Sequence, residues 1–222
     1  MNMSKGAIVA ATLLAATGAA NAGKLAYTDI AEGLERQIVM VDGVAVEVLS
    51  QPRGTAYEDG GTGGVGVYGG GADTEVGLAD YLQFSFDSAV NLTRLDINKL
   101  FSSAASSDSI NEGITVTTDN GTYTFVAHDT SANSVIALPD IGGDIINLSS
   151  PDDSGSGRWK FRGDALFGGP ITFLRIEPDV PGIFPSVSSD FTFMGLNFNP
   201  VPTPGSMALL GLGGIATLRR RR

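Results

Sequence analysis

Tyr81-Leu-Gln-Phe-Ser-Phe-Asp87 decides the fold class. Leu82, Phe84 and Phe86 alternate with Tyr81, Gln83, Ser85 and Asp87, a period of two that sends apolar side chains to one face of an extended chain and polar ones to the other. Val90 and Leu92 continue the pattern beyond a short break. Ile114 and Val116 alternate with Thr115 and Thr117; Asn120-Gly121 then precedes Tyr123 and Phe125, which alternate with Thr122 and Thr124. That is a hairpin pattern, because Asn or Asp followed by Gly supplies the positive φ angles of a two-residue turn. Asp42-Gly43 separates Ile38–Val41 from Val44–Leu49 in the same way.

Further short runs are Val135–Leu138, Asp144–Leu148, Arg158–Phe161, Ile171–Ile176 and Phe191–Phe198, all bounded by glycine, proline, serine or aspartate. Gly60–Gly71 and Glu177–Pro185 read as long loops. Many short strands with no long helical period predict an all-β protein. The expected architecture is an antiparallel β-sandwich, jelly-roll-like, with closure into a barrel as the alternative.

Composition narrows the chemistry. The 222 residues include 24 acidic and 14 basic side chains, one histidine and no cysteine. Disulfides, zinc–thiolate sites, iron–sulfur clusters, cysteine nucleophiles and multi-histidine metal sites are excluded. With 42% hydrophobic and 17% charged residues, the body is expected to fold. Its acidic balance argues against nucleic acid as a partner.

The two ends read as addresses. Lys5, the apolar run Ala7–Ala16 and the small residues Ala20 and Ala22 around Asn21 form a secretory signal peptide over residues 1–22, with cleavage expected after Ala22. Residues 201–222 place Pro202-Thr203-Pro204-Gly205 before an apolar run to Leu218 and then Arg219, Arg220, Arg221 and Arg222. The prolines oppose helix, the apolar run is expected to enter lipid as a single helix, and the arginines stop at the anionic cytoplasmic face. At ~1.5 Å per residue such a helix reaches about 21 Å, short of the ~30 Å hydrocarbon core. A transient anchor, recognised and then removed, fits that length.

In its order of zones the tail resembles the bacterial PEP-CTERM sorting signal, a Pro-Glu-Pro motif followed by a hydrophobic helix and a terminal arginine cluster. Pro202, Pro204, the run to Leu218 and Arg219–Arg222 carry the resemblance; Thr203 stands where the glutamate would be. The resemblance implies temporary membrane retention, processing by an exosortase, and delivery to the envelope or extracellular matrix. The signal peptide implies the Sec export machinery and signal peptidase as partners. The body, in Gly64-Val65-Gly66-Val67, Leu82–Phe86, Val90–Ile97 and Phe191–Phe198, resembles uncharacterised sandwiches carried by other proteins with this tail.

Between its two ends, the expected single domain of residues 23–200 holds 24 acidic and 9 basic side chains, a formal charge of −15. Gly64–Gly69 spells G-x-G-x-x-G, but neither a preceding apolar strand nor a following amphipathic helix supports a dinucleotide cradle. His128-Asp129 lacks a G-x-S-x-G partner, and adjacent strand residues face opposite ways. No local motif singles out a carboxylate pair for glycoside hydrolysis. Asp140, Asp144, Asp152 and Asp153 are candidate oxygen ligands for a structural calcium ion, with Asp73 and Glu75 as lesser ones. Arg158, Lys160 and Arg162 alternate with Trp159 and Phe161, placing cations on one strand face and aromatics on the other. Such a stripe could bind acidic extracellular polysaccharide, or offer Trp159 as a sugar-stacking platform. The reading preferred here is an edge strand with its aromatics turned inward. The expectation is therefore an exported, non-enzymatic structural or adhesive protein without a cofactor, structural calcium aside. The alternatives are a specific glycan-binding module and a secreted polysaccharide-degrading enzyme.

Overall fold

Extended segments rich in β-branched and aromatic residues pair into thirteen antiparallel strands that form one continuous sheet. The computed structural model describes residues 22–57, 63–67, 75–77, 80–101, 111–128, 134–148, 157–179 and 190–202. In chain order the strands are β1 (Gly23–Ala26), β2 (Arg36–Val41), β3 (Val44–Gln51), β4 (Thr55–Tyr57), β5 (Val65–Val67), β6 (Tyr81–Asn98) and β7 (Gly113–Thr118). There follow β8 (Gly121–His128), β9 (Ser134–Leu138), β10 (Asp144–Asn147), β11 (Trp159–Arg162), β12 (Ile171–Pro178) and β13 (Thr192–Pro200). Short 3-10 turns occur at Tyr27–Asp29 and Leu166–Gly168, and the described residues contain no α-helix. Residues Asn21–Val201 form one compact unit.

Everything is organised on β6, which runs unbroken for 18 residues. One of its edges pairs first with β12 and then with β11; the other pairs first with β3 and then with β13. Val90 stands at the changeover, opposite Ile171 on one side and Pro200 on the other. The first half of β6 thus belongs to the array β2-β3-β6-β12-β7-β8-β9, and the second half to β10-β11-β6-β13-β5-β4, with β1 also on β13. β1, β2, β4, β9 and β10 each pair on one side only, so the sheet stays open and the barrel alternative does not apply to the described residues.

Aromatic side chains from the two arrays meet in a shared core. Phe84 lies 4.7 Å from Phe193, Phe86 5.3 Å from Phe198, and Phe125 4.6 Å from Phe161, measured between ring centroids. Phe167, in the second 3-10 turn, closes one end against Tyr123 and Phe125. Full burial of each phenylalanine is worth about 1.5–3 kcal/mol relative to exposure, so these contacts outweigh any single surface interaction described below.

Several boundaries depart from expectation. The short break expected after Asp87 is an interruption of pairing rather than of the strand: β6 stays extended, but Asp87–Ala89 have no register partner, since β3 ends opposite Phe86, β13 begins opposite Val90, and the register with β12 shifts between Ser85 and Val90. In the β7–β8 hairpin Thr118 faces Gly121, so the turn residues are Asp119-Asn120, and Gly121 takes a φ of +146° as the first residue of β8. Asp119 then accepts bonds from the Thr172 backbone N–H (2.8 Å) and hydroxyl (2.6 Å), which ties the turn to β12. Partial burial pushes the Asp119 carboxyl up, but hydrogen bonds from Thr172, together with backbone ones, hold it below its usual value. The Asp42-Gly43 turn is as expected, with φ of +48° and +86°.

Within the expected loop Gly60–Gly71, Val65–Val67 is a strand, since Val65, Gly66 and Val67 are all buried and the segment pairs with β4 and Phe193. Glu177 and Pro178, expected in a loop, end β12 opposite Thr115 and Ile114. β1 and β4 were not foreseen either. Gly23 packs so closely on Phe198 that an added Cβ would stand 2.6 Å from the ring, a contact that no periodicity announces.

Candidate functional site

β11 carries the basic stripe and divides it as strand geometry requires. Trp159 is 3% exposed and Phe161 is fully buried, while Lys160 and Arg162 point outward. The indole Nε1–H of Trp159 donates to the Leu100 carbonyl at 2.7 Å, which satisfies its one polar group inside the core. Trp159 therefore offers no sugar-stacking face. The inward aromatics agree with the preferred reading, but the edge position does not: β11 lies between β10 and β6, with its backbone paired to both. Half-buried Arg158 precedes the strand, and its carbonyl accepts the Leu148 N–H at 2.8 Å.

Register enlarges the outward stripe into a row. Asp144 faces Arg162, Arg162 faces Arg94, Arg94 faces Asn197, and Asn197 faces Lys24. The row crosses β10, β11, β6, β13 and β1, at about 4.8 Å per strand. Lys160 flanks it, opposite Asp96. Four of the nine basic side chains of the body thus share one sheet face with two carboxylates, against an overall charge of −15.

The charges on this face are not equivalent. Arg94 grips Asp96 through both ends of its guanidinium, with Nε to Oδ1 at 2.8 Å. That hydrogen bond raises the Arg94 pKa, against a smaller opposing effect of burial. Arg162 stands 3.6 Å from Asp144, both side chains more than half exposed, so the pair is loose and water-screened. Lys24 is exposed at the end of the row. Such an array can hold an extended polyanion by several weak contacts from Lys24, Lys160 and Arg162, while the fork of Arg94 is filled by Asp96.

The outer face of the other array is different. Arg175 lies 3.8 Å over the Tyr81 ring and pairs with Glu177 at 2.5 Å. Its neighbours in register are Gln83, Thr117 and Thr122. There the cation is already engaged by its own sheet.

Three of the calcium candidates lie among the described residues. Asp140 turns back to accept the Gly142 N–H at 2.9 Å, Asp144 faces Arg162, and Glu75 pairs with Lys99 at 2.5 Å. No group of three or more His, Asp or Glu side chains suited to a metal occurs among the described residues. Asp73, Asp152 and Asp153 lie outside the described residues, as do Asp129, Ala20, Pro204, Gly205 and Arg219–Arg222. His128 ends β8 opposite Ser134. Ala22 is exposed directly before β1, and Pro202 is exposed just after Val201, whose N–H bonds to the Ala89 carbonyl. No helix among the described residues is long and apolar enough to cross a membrane.

Sequence reasoning missed Arg94, Lys24, Asp96 and Asn197. Arg94 is 68 positions from Arg162 in the chain, and only pairing of β11 with β6 makes them neighbours. Comparison with protein-family models, curated proteins and solved structures finds no match to the chain.

Trp159 and Arg162 are expected to separate core from surface. In urea unfolding, Trp159→Ala should lose about 3–5 kcal/mol of stability, and Arg162→Ala no more than ~1 kcal/mol. Equal losses would contradict this division of β11.

Proposed function

We propose that the chain is an exported, non-enzymatic β-sandwich, jelly-roll-like in kind, that serves as an adhesive component of the bacterial envelope or extracellular matrix. Its adhesive surface is the cationic row, and its partner is an acidic matrix polysaccharide. The observation that carries this reading is the alignment of Arg162, Arg94 and Lys24, from three separate strands, in one register row of a strongly acidic body. A polyanion presents charge repeatedly along its length, so contacts that are individually weak act together through linkage. The surrounding negative charge repels polyanions elsewhere on the body and favours this face.

Export and sorting rest on the sequence. The signal peptide of residues 1–22 directs Sec export and signal-peptidase cleavage, and the tail of residues 201–222 directs transient membrane retention and exosortase processing. Ala22 and Pro202, exposed at the margins of the compact unit, are accessible boundary residues in keeping with such processing.

Residues 21–201 should bind immobilised polyuronate saturably, and uncharged dextran far less. Lys24→Ser/Arg162→Ser should weaken retention at least ~tenfold with unchanged thermal unfolding, and ~0.5 M salt should release the protein. Equal retention on dextran, or retention indifferent to the double variant, would sink the adhesive assignment; new reducing ends would favour the enzyme reading. Parallel runs with calcium and with chelator report whether a cation bridges protein and polymer.

For sorting, the full chain with Arg219–Arg222 replaced by serine should change membrane retention or processing, read by fractionation and intact mass. An unchanged pattern would remove the tail's assigned role.

A further inference from the structure

The edge of the first array carries a second surface. Ile38 and Met40 on β2 are 66% and 65% exposed, beside exposed Arg36 on the same face. β2 has six residues, no proline, no lysine and no bulge in its register with β3. These are devices by which an edge strand is ordinarily protected from pairing, and of the protective charges β2 carries only Arg36, at its first residue.

Its free hydrogen-bonding groups can be identified. The two-residue Asp42-Gly43 turn makes Val41 and Val44 a hydrogen-bonded pair, and alternation then assigns Val39 with Val46 and Gln37 with Val48 to the same class. The backbone N–H and C=O groups of Arg36, Ile38 and Met40 therefore point away from β3. No described strand pairs with them. An open depression of about 430 Å³ lies beside the strand, lined by Val39, Met40, Val41 and Asp42 together with Lys24 and Asp29.

We propose that β2 pairs antiparallel with β2 of a second copy, about a two-fold axis at Val39. This register sets Ile38 against Met40 of the second copy, and Arg36, which its own Glu47 holds at 2.5 Å, against that copy's Asp42. Apolar meets apolar twice over from one sequence, and each Asp42 stands beside a polar Arg36–Glu47 pair rather than an apolar side chain. Hydrogen-bond alternation allows the register to slip only in two-residue steps of the paired numbers. One such step opposes Arg36 to Met40; the other opposes Ile38 to Asp42. The self-complementary register is the one that avoids both mismatches, which is why the occupant is a second copy rather than an unrelated strand. The result joins two first arrays into one continuous sheet; of the cationic row, Lys24 borders the depression beside β2, and Arg94, Lys160 and Arg162 do not. This inference does not depend on polysaccharide binding.

The test uses residues 21–201, the compact unit, in sedimentation equilibrium without polysaccharide. A reversible monomer–dimer equilibrium is expected, and Ile38→Lys/Met40→Lys should raise its dissociation constant at least ~tenfold. Both side chains are exposed, so circular dichroism and the thermal midpoint should be retained. The chain has no cysteine, so Val39→Cys introduces a sole thiol at the axis, in a non-hydrogen-bonded pair whose Cα spacing of ~4.5 Å permits a disulfide. Mild oxidation should convert Val39→Cys to a covalent dimer and leave Gln37→Cys largely monomeric. A monomer at millimolar concentration, a dimer untouched by the double lysine variant, or equal cross-linking at positions 37 and 39 would overturn the proposal.

Discussion

The continuous extended course of Tyr81–Asn98 is the constraint on which the rest of the molecule depends. Four strands use its two edges, and each fixes its register against the same chain. A slip of one residue would turn Leu82, Phe84 and Phe86 outward and expose Gln83, Ser85 and Asp87 to the core. It would also displace the partners of Phe84 and Phe86, since Phe193 and Phe198 are positioned by the second half of the same strand. The apolar pattern of one strand thereby fixes how two layers of side chains meet.

The candidate adhesive face inherits this constraint. Arg94 is placed by β6 itself, Arg162 by pairing of β11 with β6, and Lys24 through β13 and β1. Trp159 matters here as a buried peg: its bond to Leu100 anchors the start of β11 beside the end of β6, and the cations on the opposite face follow. The function proposed for the surface is in this sense a consequence of core packing on the opposite face of the same strand.

Much of the fold was legible because its signals are local. Alternation identified β7, β8 and most of β6, and the Asp42-Gly43 turn marked β2 and β3. The β7–β8 turn was displaced by one residue because Asn120-Gly121 satisfies the dipeptide rule, while the structure uses Gly121 for its positive φ at the start of β8. Val65–Val67 was hidden among glycines: all three residues are buried, so no polar partner reveals a period. For the site, the outward cations of β11 were readable from alternation alone. Arg94 and Lys24 were not, because their membership in the row is a fact of long-range register and leaves no trace in neighbouring residues.

Native-state hydrogen exchange along β6 tests the central claim most directly. If one strand ties both arrays into a single cooperative unit, amides flanking Val90, such as those of Phe84 and Leu95, should exchange with one common opening free energy equal to that of global unfolding. Distinct opening energies for residues 82–86 and 92–97 would mean that the arrays unfold separately, and would contradict the account.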